Sequence, residues 1–286
     1  MPRSGLALLA ILAVAPVALA QVPLPPGTPA GRIPVPGGEV PAVVPPVRAV
    51  DPALKATLDG WEKVMKGSAD FYTKCELKRT NLLLKKESVY EGTIMCMKPN
   101  LARLRLDKVP APGGVKDPND YTAYICTGQA VYEYDGNAKQ VTEIKLRNGG
   151  IGDNILLEFM SGNLTADDAI RRFDIKELKS DQHYVYLEIK PVAGSKEKAD
   201  FEVMTLVLFQ PTVPGMGFLP RTVVIRKSNQ QDQEVWNFPE PKVNLPPGQI
   251  KLAYFDPIPV NTLPTGWKVQ QVPQQPAPPE PRVARP

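Results

Sequence analysis

The sequence is poor in residues that usually carry chemistry. It has one histidine and three cysteines in 286 residues. No CxxC or paired-histidine pattern accompanies them, so the spacing does not suggest zinc. P-loop, HExxH and EF-hand patterns are missing. Gly215-x-Gly217 is followed by no helical pattern and is not a dinucleotide fingerprint. His183 falls in a turn between two strand patterns, with Asp181 near enough to suggest a dyad. No serine in a nucleophile-elbow context joins them, so a surface turn histidine is the expectation. Carboxylates are scattered. An enzyme, a metal or a cofactor is therefore not expected. Charge of one sign is also lacking: the net charge is +4, evenly spread, which argues against nucleic acid as a partner.

Long apolar runs are scarce too. The one at the start, Gly5 to Val17, is short for a span of roughly 20 residues and contains Pro16. Arg3 before it and Ala18-Leu19-Ala20 after it make residues 1–20 read as a secretory signal cleaved near Ala20. No stable membrane span is expected, and the chain is placed in the periplasm or secreted. Export permits disulfides. If Phe71–Thr80 and Ser88–Lys98 form a hairpin centred near Lys85-Lys86, Cys75 falls opposite Cys96. The alternative is that Cys75, Cys96 and Cys126 are small apolar strand residues.

What is abundant is proline, with 33 residues against a usual frequency of about 5%. These cluster toward the ends. Residues 21–50 read as an extended Pro/Gly-rich linker, with a ligand for a proline-reading partner as the alternative. Residues 270–286 read as a Pro/Gln-rich disordered tail. The folded domain is expected over 51–269.

That domain opens on a helix. Asp51 is a good N-cap and Pro52 a good first residue. Leu54, Leu58, Trp61 and Met65 then recur at helical spacing, and Gly67 is the expected C-cap. Strand patterns follow at 70–80, 88–98, 101–108, 121–127, 130–134 and 139–146. In the stretch Tyr90 to Leu106, Gly92 is expected to open a strand that ends at Pro99. After Lys98-Pro99-Asn100, Ala102, Leu104 and Leu106 alternate with Arg103 and Arg105, so one face is apolar and the other carries guanidinium groups. Residues 109–120 read as a mobile loop. Residues 149–172 interrupt the strands. Asp153 is expected to cap a short helix carrying Ile155, Leu156, Phe159 and Met160. Thr165 and Asp168 form a capping-box pattern for a second helix through Arg172. This insert reads as either a lid or a plain connector. Asn163-Leu164-Thr165 also matches a glycosylation sequon, a tripeptide common by chance. Strands resume at 173–179, 184–190, 201–209, 219–227, 232–238 and 250–256.

About a dozen mostly antiparallel strands in one domain imply a sheet that curls. The fold class expected is mainly β (α+β): a curved antiparallel half-barrel wrapped around the amphipathic helix, with a short helical lid.

This order of motifs resembles the LolA/LolB family of periplasmic lipoprotein carriers. The helix with Trp61 is similar to the family's first helix. Glu91-Gly92 to Leu106 resembles its "G-hydrophobic-x-basic-Pro-Asn-hydrophobic" hairpin. Tyr124 to Tyr134 with Asp135-Gly136 resembles its "dG-x-lwxY" strand pair. Leu156 to Gly162 resembles its lid helix, and Phe255-Asp256-Pro257 through Val269 its closing element. The chain also resembles a secreted domain family of planctomycetes with the same fold signature. Where the carrier family has an arginine before the hairpin proline, this chain has Lys98; where it has an aromatic just after the turn, this chain has Ala102.

The apolar inventory fits either a dry core or a lipid-sized cavity, and the resemblance favours the cavity. It implies a binder of lipid or acylated protein, acting as a monomer. The cavity would be lined by Leu54, Leu58, Trp61, Met65, Met95, Met97, Leu104, Leu106 and Phe159, with Lys98 at a headgroup or the lid. The alternative is a non-enzymatic envelope interaction or sensor module whose Pro-rich tails help to bind a protein partner.

Overall fold

The computed structural model describes residues 50–146 and 155–272. The expected signal sequence, nearly all of the expected linker, the expected Asp153 cap and the residues after Val272 lie outside the described residues.

Helix α1 (Pro52–Gly67) forms where its capping signals place it. Asp51 accepts a hydrogen bond from the Ala53 amide at 2.8 Å, with Pro52 at the first position. Its buried stripe is Leu54, Leu58, Trp61 and Met65. Gly67 is the last helical residue and not the cap. The chain turns extended at Ser68, whose hydroxyl donates to the Val64 carbonyl at 2.7 Å.

Among the described residues, thirteen strands form one sheet. They are β1 (Asp70–Asn81), β2 (Lys86–Met97), β3 (Leu101–Lys108), β4 (Tyr121–Cys126), β5 (Ala130–Asp135), β6 (Gln140–Lys145), β7 (Phe173–Ser180), β8 (Tyr184–Pro191), β9 (Phe201–Phe209), β10 (Pro220–Lys227), β11 (Asp232–Asn237), β12 (Lys242–Val243) and β13 (Lys268–Val272). The spatial order is β13-β6-β5-β4-β3-β2-β1-β11-β10-β9-β8-β7, with β12 paired to β1. All pairings are antiparallel except β13 with β6. The sheet is open, with β13 at one end and β7 at the other. This is the unclosed, mainly antiparallel architecture expected from the sequence.

The topology explains the helical insert. Strands β1–β6 form one meander and β7–β11 a second, joined by β1 against β11. After β6 the chain must reach β7, at the opposite end of the sheet. The crossing uses α2 (Ile155–Ser161) and α3 (Ala166–Arg172). α2 contacts β1 and β2, and α3 contacts α1 and β7. Thr165 caps α3 as its sequence pattern implies, accepting from the Asp168 amide at 2.9 Å. Gly162 ends α2 at φ +75°, and a Cβ there would lie 2.6 Å from the Met65 carbonyl oxygen. Only glycine lets α2 turn this close to α1.

Three expectations need correction. First, Cys75 pairs with Gly92 and Cys96 with Phe71, not with each other. Pairing continues to Asn81 opposite Lys86, so the turn is Leu82 to Lys85 and centred earlier than Lys85-Lys86. All three cysteines are buried and none is in a disulfide. Second, Gly92 lies within β2 and does not open it. An added Cβ would meet the Arg105 carbonyl oxygen at 1.8 Å, the close backbone approach that interior strand glycines often mark. Third, 250–256 is not a strand. Leu252–Phe255 is a 3₁₀ turn, because Ile250 and Phe255 are the buried residues and Leu252 is exposed, which is not a period of two.

The segment around that turn covers the outer face of β3–β6. Arg103 donates to the Tyr254 carbonyl at 2.8 Å, and the Ile258 amide donates to the Tyr134 hydroxyl at 3.0 Å. Trp267 stacks near Tyr121 and Tyr134, over a small outer cluster of Ala123, Ile125, Tyr134 and Val141. β13 then pairs with β6 through Val272, so strand pairing continues past Val269.

Candidate binding site

Seven of the nine residues expected to line a cavity do lie together. Leu54, Leu58, Trp61, Met65, Leu104, Leu106 and Phe159 belong to one buried cluster beneath the helices. They fill one another's space. The Trp61 and Phe159 rings are 5.5 Å apart, and Phe159, Phe173 and Phe201 continue the row at 6.1 Å per step. The void beside Trp61, Phe159, Met160, Met204 and Val223 is about 10 Å³, scarcely room for one water. Met160 and Met204, both from elements that close this space, are buried there.

Met95 and Met97 are placed differently. Ile94 and Cys96 take the buried positions of β2, so strand alternation puts both methionines on its other face, half-buried. All four residues are apolar, so the local sequence does not fix the phase.

Lys98 is tied to a helix end. Its ammonium donates to the Lys66 carbonyl oxygen, one of the last carbonyls of α1, which lack partners within the helix. Burial, with the nearby Lys66 charge, pushes its pKa down. Lys98 thus fastens the β2–β3 turn to the end of α1.

Two polar clamps hold the crossing helices. Glu62 of α1 accepts from the Ala166 amide at 2.6 Å, at the start of α3. Its ion pair with Lys66 and this amide hold its carboxyl below the ordinary value. Arg172, at the end of α3, makes a bidentate pair with Glu158 of α2, one arm at 2.9 Å, and reaches Glu197 at 2.9 Å. Glu197 is only 5% exposed. Burial alone would raise its pKa, but backbone hydrogen bonding and the Arg172 charge outweigh that and hold it down. The same partners raise Arg172.

Open space of useful size lies elsewhere, at the end of the sheet. A groove of about 620 Å³ runs between the start of α1, α3 and β7. Leu54, Ile170, Phe173 and Ile175 give it an apolar lining continuous with the main core. Ile175 pairs with Ile189 and shares its inward face. The pairing shifts between Glu177 and Lys179, which throws Leu178 out of alternation and leaves it 55% exposed at the groove. Lys176 and Lys179 line it too, with Asp51, Asp174 and Glu177. Of the expected cavity residues only Leu54 lines this groove. The sequence signal for the rest was the Phe173-x-Ile175 alternation beside Ile170, but nothing local marks β7 as the last strand.

His183 is exposed in its turn. Asp181 accepts from the His183 and Tyr184 amides at 2.8 and 2.9 Å, so its carboxylate shapes the turn backbone.

No family model matches the sequence, and no curated protein matches it. Several solved structures are similar to parts of this chain. One is a DUF1329 family protein from Desulfovibrio piger: 13% identity, covering 75% of this chain and 100% of that one, TM-score 0.40. Another is a LolA superfamily protein from Nitrosomonas europaea: 12% identity, 69% and 96% coverage, TM-score 0.33. A third is in the Pseudomonas aeruginosa MucA/MucB complex: 13% identity, 70% and 60% coverage, TM-score 0.36. Each of these is a likeness at low identity, with a TM-score of 0.40 or below.

Proposed function

We propose that this chain is an exported, non-enzymatic binding protein that seats an acyl chain, of a lipid or a lipid-modified protein, in the groove between α1, α3 and β7. The observation that carries the reading is the groove itself: about 620 Å³ with an apolar lining, within the size range of small-molecule sites. An acyl chain of about ten carbons gains roughly 0.8 kcal/mol per buried methylene, so it needs no strong polar anchor. Lys176 and Lys179 are the cations of the lining available to an anionic headgroup, beside Asp51, Asp174 and Glu177. A larger cargo would require α2 to leave the packed interior, and Arg172 is the group that must let go.

The test is native mass spectrometry of the soluble protein, followed by solvent extraction of any bound mass and titration with dodecanoate. One equivalent should bind, and Ile175→Asp should abolish it while leaving the fold intact by circular dichroism. No adduct, or an adduct indifferent to Ile175→Asp, overturns the reading. A second reading is favoured by one observation: β7 ends the sheet, so its outer edge is open to an added strand from a protein partner. Such a partner would be captured by the lipid-free protein and would compete with dodecanoate for the open side of the groove.

A further inference from the structure

Among the described residues, the largest run of exposed apolar side chains is at the tip of the β1–β2 hairpin. Leu82, Leu83 and Leu84 are 42%, 69% and 61% exposed, and they are consecutive. Soluble hairpin turns normally carry Gly, Asn, Asp or Ser, so three leucines here need a reason. The turn is held in place by the Asn81 side chain and by a backbone bond to the neighbouring turn. Asn81 accepts from the Leu84 amide at 2.8 Å and donates to Asp232 at 2.8 Å. The Leu82 amide donates to the Gln231 carbonyl at 2.6 Å, and Lys85 adopts φ +52°. The backbone that carries the leucines is therefore fixed at the tip.

The charge around them has one sign to spare. Lys78 pairs with Glu87 at 2.7 Å and Arg79 with Glu234 at 3.2 Å. Lys85 and Lys86 follow the leucines directly, are exposed, and make no ion pair among the described residues. The neighbouring turn, Ser228 to Gln231, is polar and exposed. A convex apolar tip with a cationic collar and polar shoulders matches the cross-section of an anionic lipid surface. The leucines reach the acyl boundary while lysines and amides stay among the headgroups.

We infer that Leu82-Leu83-Leu84 with Lys85 and Lys86 is a membrane-docking tip that inserts shallowly into an anionic lipid bilayer. Its place in the fold adds to this. The pairings carry this end of the sheet from Asn81 across Asp232, Lys227, Phe201 and Pro191 to Phe173, where the proposed groove begins. Docking the tip would therefore bring that end of the groove toward the lipid. The inference does not depend on the groove's occupant.

The experiment is co-sedimentation of the soluble protein from the full-length chain with vesicles of mixed phosphatidylglycerol and phosphatidylcholine, and with phosphatidylcholine alone. Binding is expected on the anionic vesicles and should weaken with salt. Lys85→Gln with Lys86→Gln should weaken it about 30-fold, from about a fivefold loss per lysine. Leu83→Ser with Leu84→Ser should weaken it at least tenfold or so, with unchanged thermal unfolding. Leu83→Trp should gain a fluorescence component quenched by brominated acyl chains. Wild-type protein that ignores anionic vesicles, serine variants that bind equally, or an unquenched Leu83→Trp overturns the inference. So does a dimer in sedimentation equilibrium that the serine variants dissociate, because the tip would then be covered by a second copy. Retained dodecanoate binding in the serine variants would separate this site from the groove.

Discussion

The space beneath α1 and α2 and the groove beside β7 have much the same chemistry and opposite fates. Both draw on one apolar cluster. Under the helices, sheet and helix close from both sides and leave about 10 Å³. Beside β7 the sheet stops, so no next strand supplies side chains, and about 620 Å³ remains. The difference teaches that an apolar inventory does not define a cavity. A cavity needs a missing neighbour, and here the missing neighbour is the strand that would follow β7.

The contrast can be broken most forcefully by truncation. Trp61→Ala or Phe159→Ala should cost about 3–5 kcal/mol, because a large ring leaves a tight interior that only partly collapses. Ile175→Ala in the groove should cost about 1 kcal/mol, since half-exposed atoms lose less. Urea unfolding midpoints measure both, and equal costs would erase the distinction between core and site.

A second, smaller effect separates the clamp from the packing around it. Arg172→Met leaves Glu197 without its cation and should cost about 2 kcal/mol at neutral pH. The pH dependence has a definite sign. Glu197 is depressed in the folded state from an ordinary value of 4.5. Its contribution is therefore present above that value and lost as pH falls through the lower folded one. Wild-type stability should decline below about pH 4.5, and Arg172→Met should flatten that decline. Unfolding curves across the acid range decide it.

The mildest test probes closure without mutation. Burial pushes Cys75 to about 12, and burial with the nearby Cys126 pushes Cys96 to about 12. At pH 8 both thiols should resist iodoacetamide until the protein opens, and their labelling rate should rise with urea. Rapid labelling in the native state would mean the interior is not closed.

Much of this fold is local enough to read from sequence. Asp51-Pro52 and the Leu54–Met65 stripe specify α1, and Thr165 specifies the start of α3, because caps and helical periods act within a few residues. The Lys98-Pro99-Asn100 turn and the Leu101–Lys108 alternation do the same for the central hairpin. Register was harder. The β1–β2 turn is made of leucines, so its apolar character conceals where pairing stops, and the Cys75–Cys96 pairing fails with it. Met95 and Met97 sit in an all-apolar stretch whose phase is set by packing on β1 and β3. The groove was least legible. Phe173, Ile175 and Leu178 look like ordinary strand residues until the topology makes β7 an edge.

The measurement that tests the central claim most directly is methyl NMR during titration with dodecanoate. If the groove is the seat, the methyls of Leu54, Ile170 and Ile175 shift in saturable fashion while those of Leu58, Met65 and Met160 stay still. Shifts at Met65 and Met160 with Ile170 and Ile175 unmoved would place the ligand in the interior and contradict the account.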